Sequence, residues 1–178
     1  MSLQQAHRQK NLVQTFNQMV ESRIPVKYAD RIFFEDFLAD PSAMDERLNS
    51  LHYWINLRYV AGGVGLKQPT LIQIDCYFTV GSYSAQEDRY GAQSINVGDD
   101  VIAAMSTADR GVYIKDFSSD PLNPSLTEEY LLVRNSRGQQ GWPDSRRQIP
   151  ADRGLVAESL TFHVWHSQDL HPSVQVYF

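Results

Sequence analysis

In residues 70–80 every second side chain is apolar. Ile72, Ile74, Cys76, Phe78 and Val80 alternate with Gln73, Asp75 and Thr79. Only an extended strand has that period, so one face should pack on a core and the other meet water or a partner. Residues 51–60 repeat the pattern, with Leu51, Tyr53, Ile55, Leu57 and Tyr59 on one face. His52, Trp54, Asn56 and Arg58 occupy the other face, which places Trp54 in solvent on the isolated chain. The connection 61–69 holds Gly62, Gly63, Gly65 and Lys67. It is longer than a tight hairpin and is expected to project from the sheet. A second loop, 81–91, offers Tyr83, Glu87, Asp88 and Arg89 to solvent. The period then turns helical in 92–107, with Ile95, Ile102 and Met105 facing inward beside Val101. Residues 111–117 read as a short strand around Val112 and Ile114. This order describes an α+β domain.

The flanks are less regular. Residues 3–22 read as an amphipathic helix with Leu12, Phe16, Met19 and Val20 on its apolar stripe, ended by Pro25. Residues 28–38 are aromatic-rich, and periodicity does not choose between a short strand and a packed connection. Residues 40–42 form a turn, and 42–51 add one or two helical turns. Residues 118–152 show no sustained period apart from Tyr130-Leu131-Leu132-Val133. They are expected to be an extended insertion or docking arm, anchored by Tyr130, Leu131, Leu132 and Trp142. Arg146 and Arg147 are expected to pair with acidic residues of segment 69–130 on a neighbouring subunit. Residues 155–166 read as the last long strand, with Leu160, Phe162 and Val164 on one face. The tail 167–178 alternates Val174, Val176 and Phe178, a pattern for an edge strand in this subunit or another.

At 178 residues the chain is most economically one domain, 1–178, long enough to bury roughly two-thirds of its unfolded surface. Its charge is uneven: residues 69–130 carry 3 basic and 10 acidic residues within a net charge of −5. An acidic middle argues against a nucleic-acid groove, which needs a continuous basic surface. Cys76 is the single cysteine, so no internal disulfide forms, and its inward strand position suits a small core side chain. No run of about 18 apolar residues marks a membrane span. The polar start lacks the apolar centre of a signal peptide, which points to the cytoplasm.

Catalytic and cofactor chemistry finds little support. His163 and His166 are three apart on a strand and so point to opposite faces, away from a shared metal. The glycines at 62–65 precede a strand, so no helix start receives a phosphate there. Asp99 and Asp100 diverge by about 100° on a helix and do not converge as an acid–base pair. No Gly-x-Ser-x-Gly elbow occurs. The reading is a protein without catalytic, cofactor or metal site.

The element order around Leu71-Ile72-Gln73-Ile74-Asp75-Cys76-Tyr77-Phe78, with the helix 95–105, the strand 112–117 and the strand 160–165, resembles the lambda-type tail terminator proteins of long-tailed bacteriophages. The resemblance spans residues 3–166. It implies a mixed, mainly antiparallel sheet packed by two principal helices, and a ring of six subunits in the virion. The ring caps the tail tube and joins it to the head connector. DNA passes through without sequence-specific binding, and assembly takes place in the host cytoplasm. The expected protein interface comprises Gly62, Gly63, Lys67, Tyr83, Glu87, Asp88, Arg89, Tyr130, Leu131, Leu132, Trp142, Arg146 and Arg147. The alternatives are another head–tail neck component, or a small enzyme whose site is built by 118–152.

Overall fold

The alternating segment becomes β3 (Thr70–Thr79), which lies between β2 (Tyr53–Ala61) and the 13-residue β7 (Leu155–Ser167). The computed structural model describes residues 7–34, 42, 46, 51, 53–62, 68–79, 92–106, 112–152 and 155–167. Among these residues two helices, α1 (Arg8–Arg23) and α2 (Ala92–Ser106), pack on a curled mixed sheet. The sheet is completed by β1 (Ile32–Phe33), β4 (Val112–Asp116), β5 (Ser125–Val133) and β6 (Ser145–Asp152). Its order is β1-β2-β3-β7-β5-β4, with β6 also on β7. Among the described residues only the β1–β2 pair is parallel.

The long β7 organises the sheet. Along one side it pairs with β3, from Thr79↔Leu155 to Thr70↔Val164. Along the other it takes β6 first, up to Ser145↔Thr161, and then β5, from Val133↔Val164 to Tyr130↔Ser167. Segment 118–152 therefore supplies two strands of the sheet, β5 and β6, and the expectation of an extended arm is corrected. β6 was invisible to hydropathy because its inward position 146 holds an arginine. β5 was hidden because Tyr130, Leu131, Leu132 and Val133 put apolar groups on both faces at once.

Both helices cover the same sheet face. Leu12, Phe16, Met19 and Val20 of α1 and Val101, Ile102 and Met105 of α2 are buried against Ile55, Ile72, Ile74, Leu131, Leu160 and Phe162. Pro25 ends α1 as expected, with Ile24 already extended at ψ 146°. Two polar residues join the buried stripe of α1 for a specific reason. Thr15 Oγ1 accepts from the Lys115 backbone N–H at 2.9 Å, and Asn11 Oδ1 accepts from the Phe117 N–H at 3.1 Å. The helix thus occupies donors along the outer edge of β4 that another strand would otherwise pair with.

The opposite sheet face is not the solvated surface that the alternation suggests. Trp54 is fully buried, stacked on Tyr77 with ring centroids 5.2 Å apart, and Ala157, Phe33, Leu51 and Ile149 surround the pair. Asp75 is 2% exposed; its carboxylate takes Arg58 at 3.2 Å and the Gln73 amide N–H at 2.6 Å. A small second core and an ion-paired row therefore replace exposure on this face.

Candidate interaction surface

Of the thirteen residues expected at an interface, Gly63, Lys67, Tyr83, Glu87, Asp88 and Arg89 lie outside the described residues, as does most of the loops 61–69 and 81–91. The tail beyond Ser167 and the turn at 40–41 lie outside them too. Gly62 directly follows β2. Leu131 is 1% exposed within the main core, so it anchors this chain's own sheet rather than a partner. Tyr130 is buried on the other face, its ring 4.6 Å from that of Tyr113, the two hydroxyls hydrogen-bonded at 3.1 Å. Leu132 lies opposite Trp165 in the β5–β7 ladder, half-buried.

Arg146 and Arg147 part company. Being neighbours on β6, they face opposite sides of the sheet. Arg146 turns inward and grips the buried Glu158 carboxylate through Nε and Nη2, while Nη1 reaches Asp99 of α2 at 2.7 Å. The Glu158 hydrogen bonds raise the guanidinium pKa above its ordinary value. Gly98 of α2 makes room for this network, since a Cβ there would run into the Glu158 carboxylate. The pair fastens β6 and α2 onto β7, and the expectation that Arg146 serves a neighbouring subunit is corrected. Arg147 is exposed at the end of the row Asn56–Asp75–Ser159–Arg147.

Trp142 is 47% exposed, on the loop 134–144 between β5 and β6. That loop is built, not slack. Asn135 Oδ1 accepts from the N–H groups of Arg137 and Gln139 at 3.1 and 2.9 Å, and the Gly138 N–H returns to the Asn135 carbonyl at 3.0 Å. Asp144 accepts from the Ser136 N–H at 2.8 Å; that bond, with the Ser136 hydroxyl, holds the carboxyl below the usual range. Gly141, at φ 72°, lies against the C-terminal turn of α2, where an added Cβ would meet the Ser106 Cα at 2.6 Å. Only glycine fits that approach.

A second rigid loop was not foreseen as a surface element. Between β4 and β5, Asp120 Oδ1 accepts from the Leu122 N–H at 2.9 Å and the Asn123 N–H at 3.2 Å. The Asn123 amide and these two backbone donors depress the Asp120 pKa. The turn holds Leu122 out at 89% exposure, with Leu126 at 66% nearby. Asp-Pro-Leu-Asn reads as a turn from sequence, but nothing in it says that the leucine stays uncovered.

Large apolar side chains are exposed at both margins of the sheet. Val26 (90%) and Phe34 (46%) flank β1; Tyr113 (39%) and Leu126 mark the β4–β5 margin. A groove of about 370 Å³ runs between α1 and β4, lined by Thr15, Gln18, Met19, Ser22 and Val112, with Glu21, Arg23 and Lys115 at its rim. Among the described residues no three His, Cys, Asp or Glu side chains are grouped to hold a metal ion. Among the same residues no helix is long and apolar enough to cross a membrane. No family model matches the chain, and no curated protein or solved structure is similar to it.

Proposed function

We propose that this chain is a structural virion protein, the tail terminator of a long-tailed bacteriophage. In this reading it closes into a ring of six on the end of the tail tube, stops tube growth and offers the surface that the head connector joins. The supporting observation is the distribution of exposed apolar side chains: Leu122 and Leu126 at the β4–β5 loop and the start of β5, and Trp142 on the loop between β5 and β6. Unlike patches on one subunit suit a head-to-tail contact, and such contacts generate rings when the rotation closes. The tail role itself rests on the resemblance of the element order read from the sequence to the tail terminator family. DNA then passes through the ring, whose acid-rich segment 69–130 weakens phosphate contacts.

The test is a nonsense mutation of the gene in the phage that encodes it. Expected are overlong tail tubes that never join heads, and, in wild-type particles, a ring of this protein at the head-proximal end of the tube. Infectious particles with normal tails and none of this protein would remove the proposal.

A further inference from the structure

The surfaces at the two ends of β5 differ in charge, and the loop at each end holds a large apolar side chain in solvent. Residues 116–130, from the end of β4 through the loop into β5, contain four acidic residues and no basic one around Leu122 and Leu126; Glu129 is paired within the chain with Arg8 and His166. Residues 134–147 contain four arginines and one aspartate around Trp142; Arg146 is taken up by Glu158 and Asp99, and Arg134, Arg137 and Arg147 are exposed. Asp120 and Glu128 are exposed at the first site, Arg134 and Arg137 at the second. Both loops are fixed by internal hydrogen bonds, so little ordering cost remains to be met on binding. The nine residues of β5 hold the loops about 27 Å apart at roughly 3.3 Å per residue, so they cannot meet within one chain.

We propose that the occupant of each loop is the other loop of a second copy of this chain. The Trp142 ring packs on Leu122 and Leu126, with Arg134 and Arg137 facing Asp120 and Glu128. The arrangement combines an aromatic–arginine hot spot with complementary charge. The contact is head-to-tail, since the donor surface of one copy differs from the acceptor surface it meets. It deepens the proposed ring by naming its subunit contact and rests on that reading only for closure.

Purified full-length Pro121→Cys and Pro143→Cys variants, which place a thiol beside each anchor and leave Leu122 and Trp142 intact, test it under mild oxidation. The native Cys76 thiol stays out of the reaction, because it is buried and burial pushes its pKa up. The mixture should give disulfide-linked dimer at least tenfold faster than either variant alone, an effect of the docked geometry. Adding Arg134→Glu and Arg137→Glu to the Pro143→Cys copy should slow the reaction roughly tenfold. Equal rates for the mixture and the separate variants, with both folded by circular dichroism, would overturn the contact; indifference to charge reversal would overturn its electrostatic half. A mixed crosslink in solution with no ring in phage particles leaves the contact standing and removes the tail reading. A ring in particles whose subunits do not join 122 to 142 does the reverse.

Discussion

Arg146 and Arg147 are adjacent and identical in type, yet their roles are opposite. The pleat turns Arg146 toward Glu158, which is 3% exposed, and Arg147 toward solvent. Removing Arg146 strands a carboxylate in the interior, whereas removing Arg147 strands nothing. Arg146→Met should therefore cost about 2–4 kcal/mol of stability, below the range for fully buried pairs at its top because the guanidinium is partly exposed. Arg147→Met should stay within about 0.5 kcal/mol, as surface changes do. Replacing both partners, Arg146→Met with Glu158→Leu, should recover most of the loss, since no charge is then left unpaired. Urea unfolding of the four proteins reads all of this; an Arg146→Met loss equal to that of Arg147→Met would show that the pair contributes nothing.

At the scale of elements, the β4–β5 and β5–β6 loops are each fastened by an aspartate that accepts backbone N–H bonds: Asp120 from Leu122 and Asn123, Asp144 from Ser136. Both carboxyls titrate below the ordinary 3.8. A folded-state pKa below the unfolded one means that the unfolded chain binds protons first as pH falls. The stability contributed is thus complete above the unfolded value and lost as pH drops through the folded one. The Leu122 and Ser136 amide resonances should shift in acid with midpoints below 3.8, and protons on those amides should exchange faster there. Midpoints at or above 3.8 would mean that the loops are not held this way. The same loops show where sequence reading ends. β2, β3, α2 and the core half of β7 were legible because their apolar residues keep a strict period of 2 or 3.6. β5 and β6 were not, since period 2 vanishes when both faces are apolar or when Arg146 and Glu158 sit inside. Trp54 was misplaced for a related reason: alternation assigns a face, and only the packing of Tyr77, Ala157 and Ile149 tells whether that face is wet. Of the expected interface, Trp142 and Arg147 are exposed, while Leu131 and Arg146 serve the fold.

For the whole molecule, the proposed head-to-tail contact has a consequence that a two-fold dimer does not. Every subunit of a closed ring uses its Trp142 surface once and its Leu122 surface once. A copy carrying Trp142→Asp keeps an intact Leu122 loop, so it still enters an assembly but offers no onward contact. One such copy breaks the ring. If six subunits are drawn at random with one variant in four, intact rings should fall to about 0.75 to the sixth power, or roughly a fifth. An isologous dimer built on the same residues would retain about half of its complexes at that ratio. Trp142 is 47% exposed and its replacement opens no core cavity, so the variant should fold normally. Co-expression of the two forms at graded ratios during infection, with normal-length tails counted by electron microscopy, gives the curve. A steep, sixth-power fall supports both the ring and the head-to-tail contact. A loss simply proportional to the variant fraction would mean that each copy acts alone, and the ring reading would fall with it.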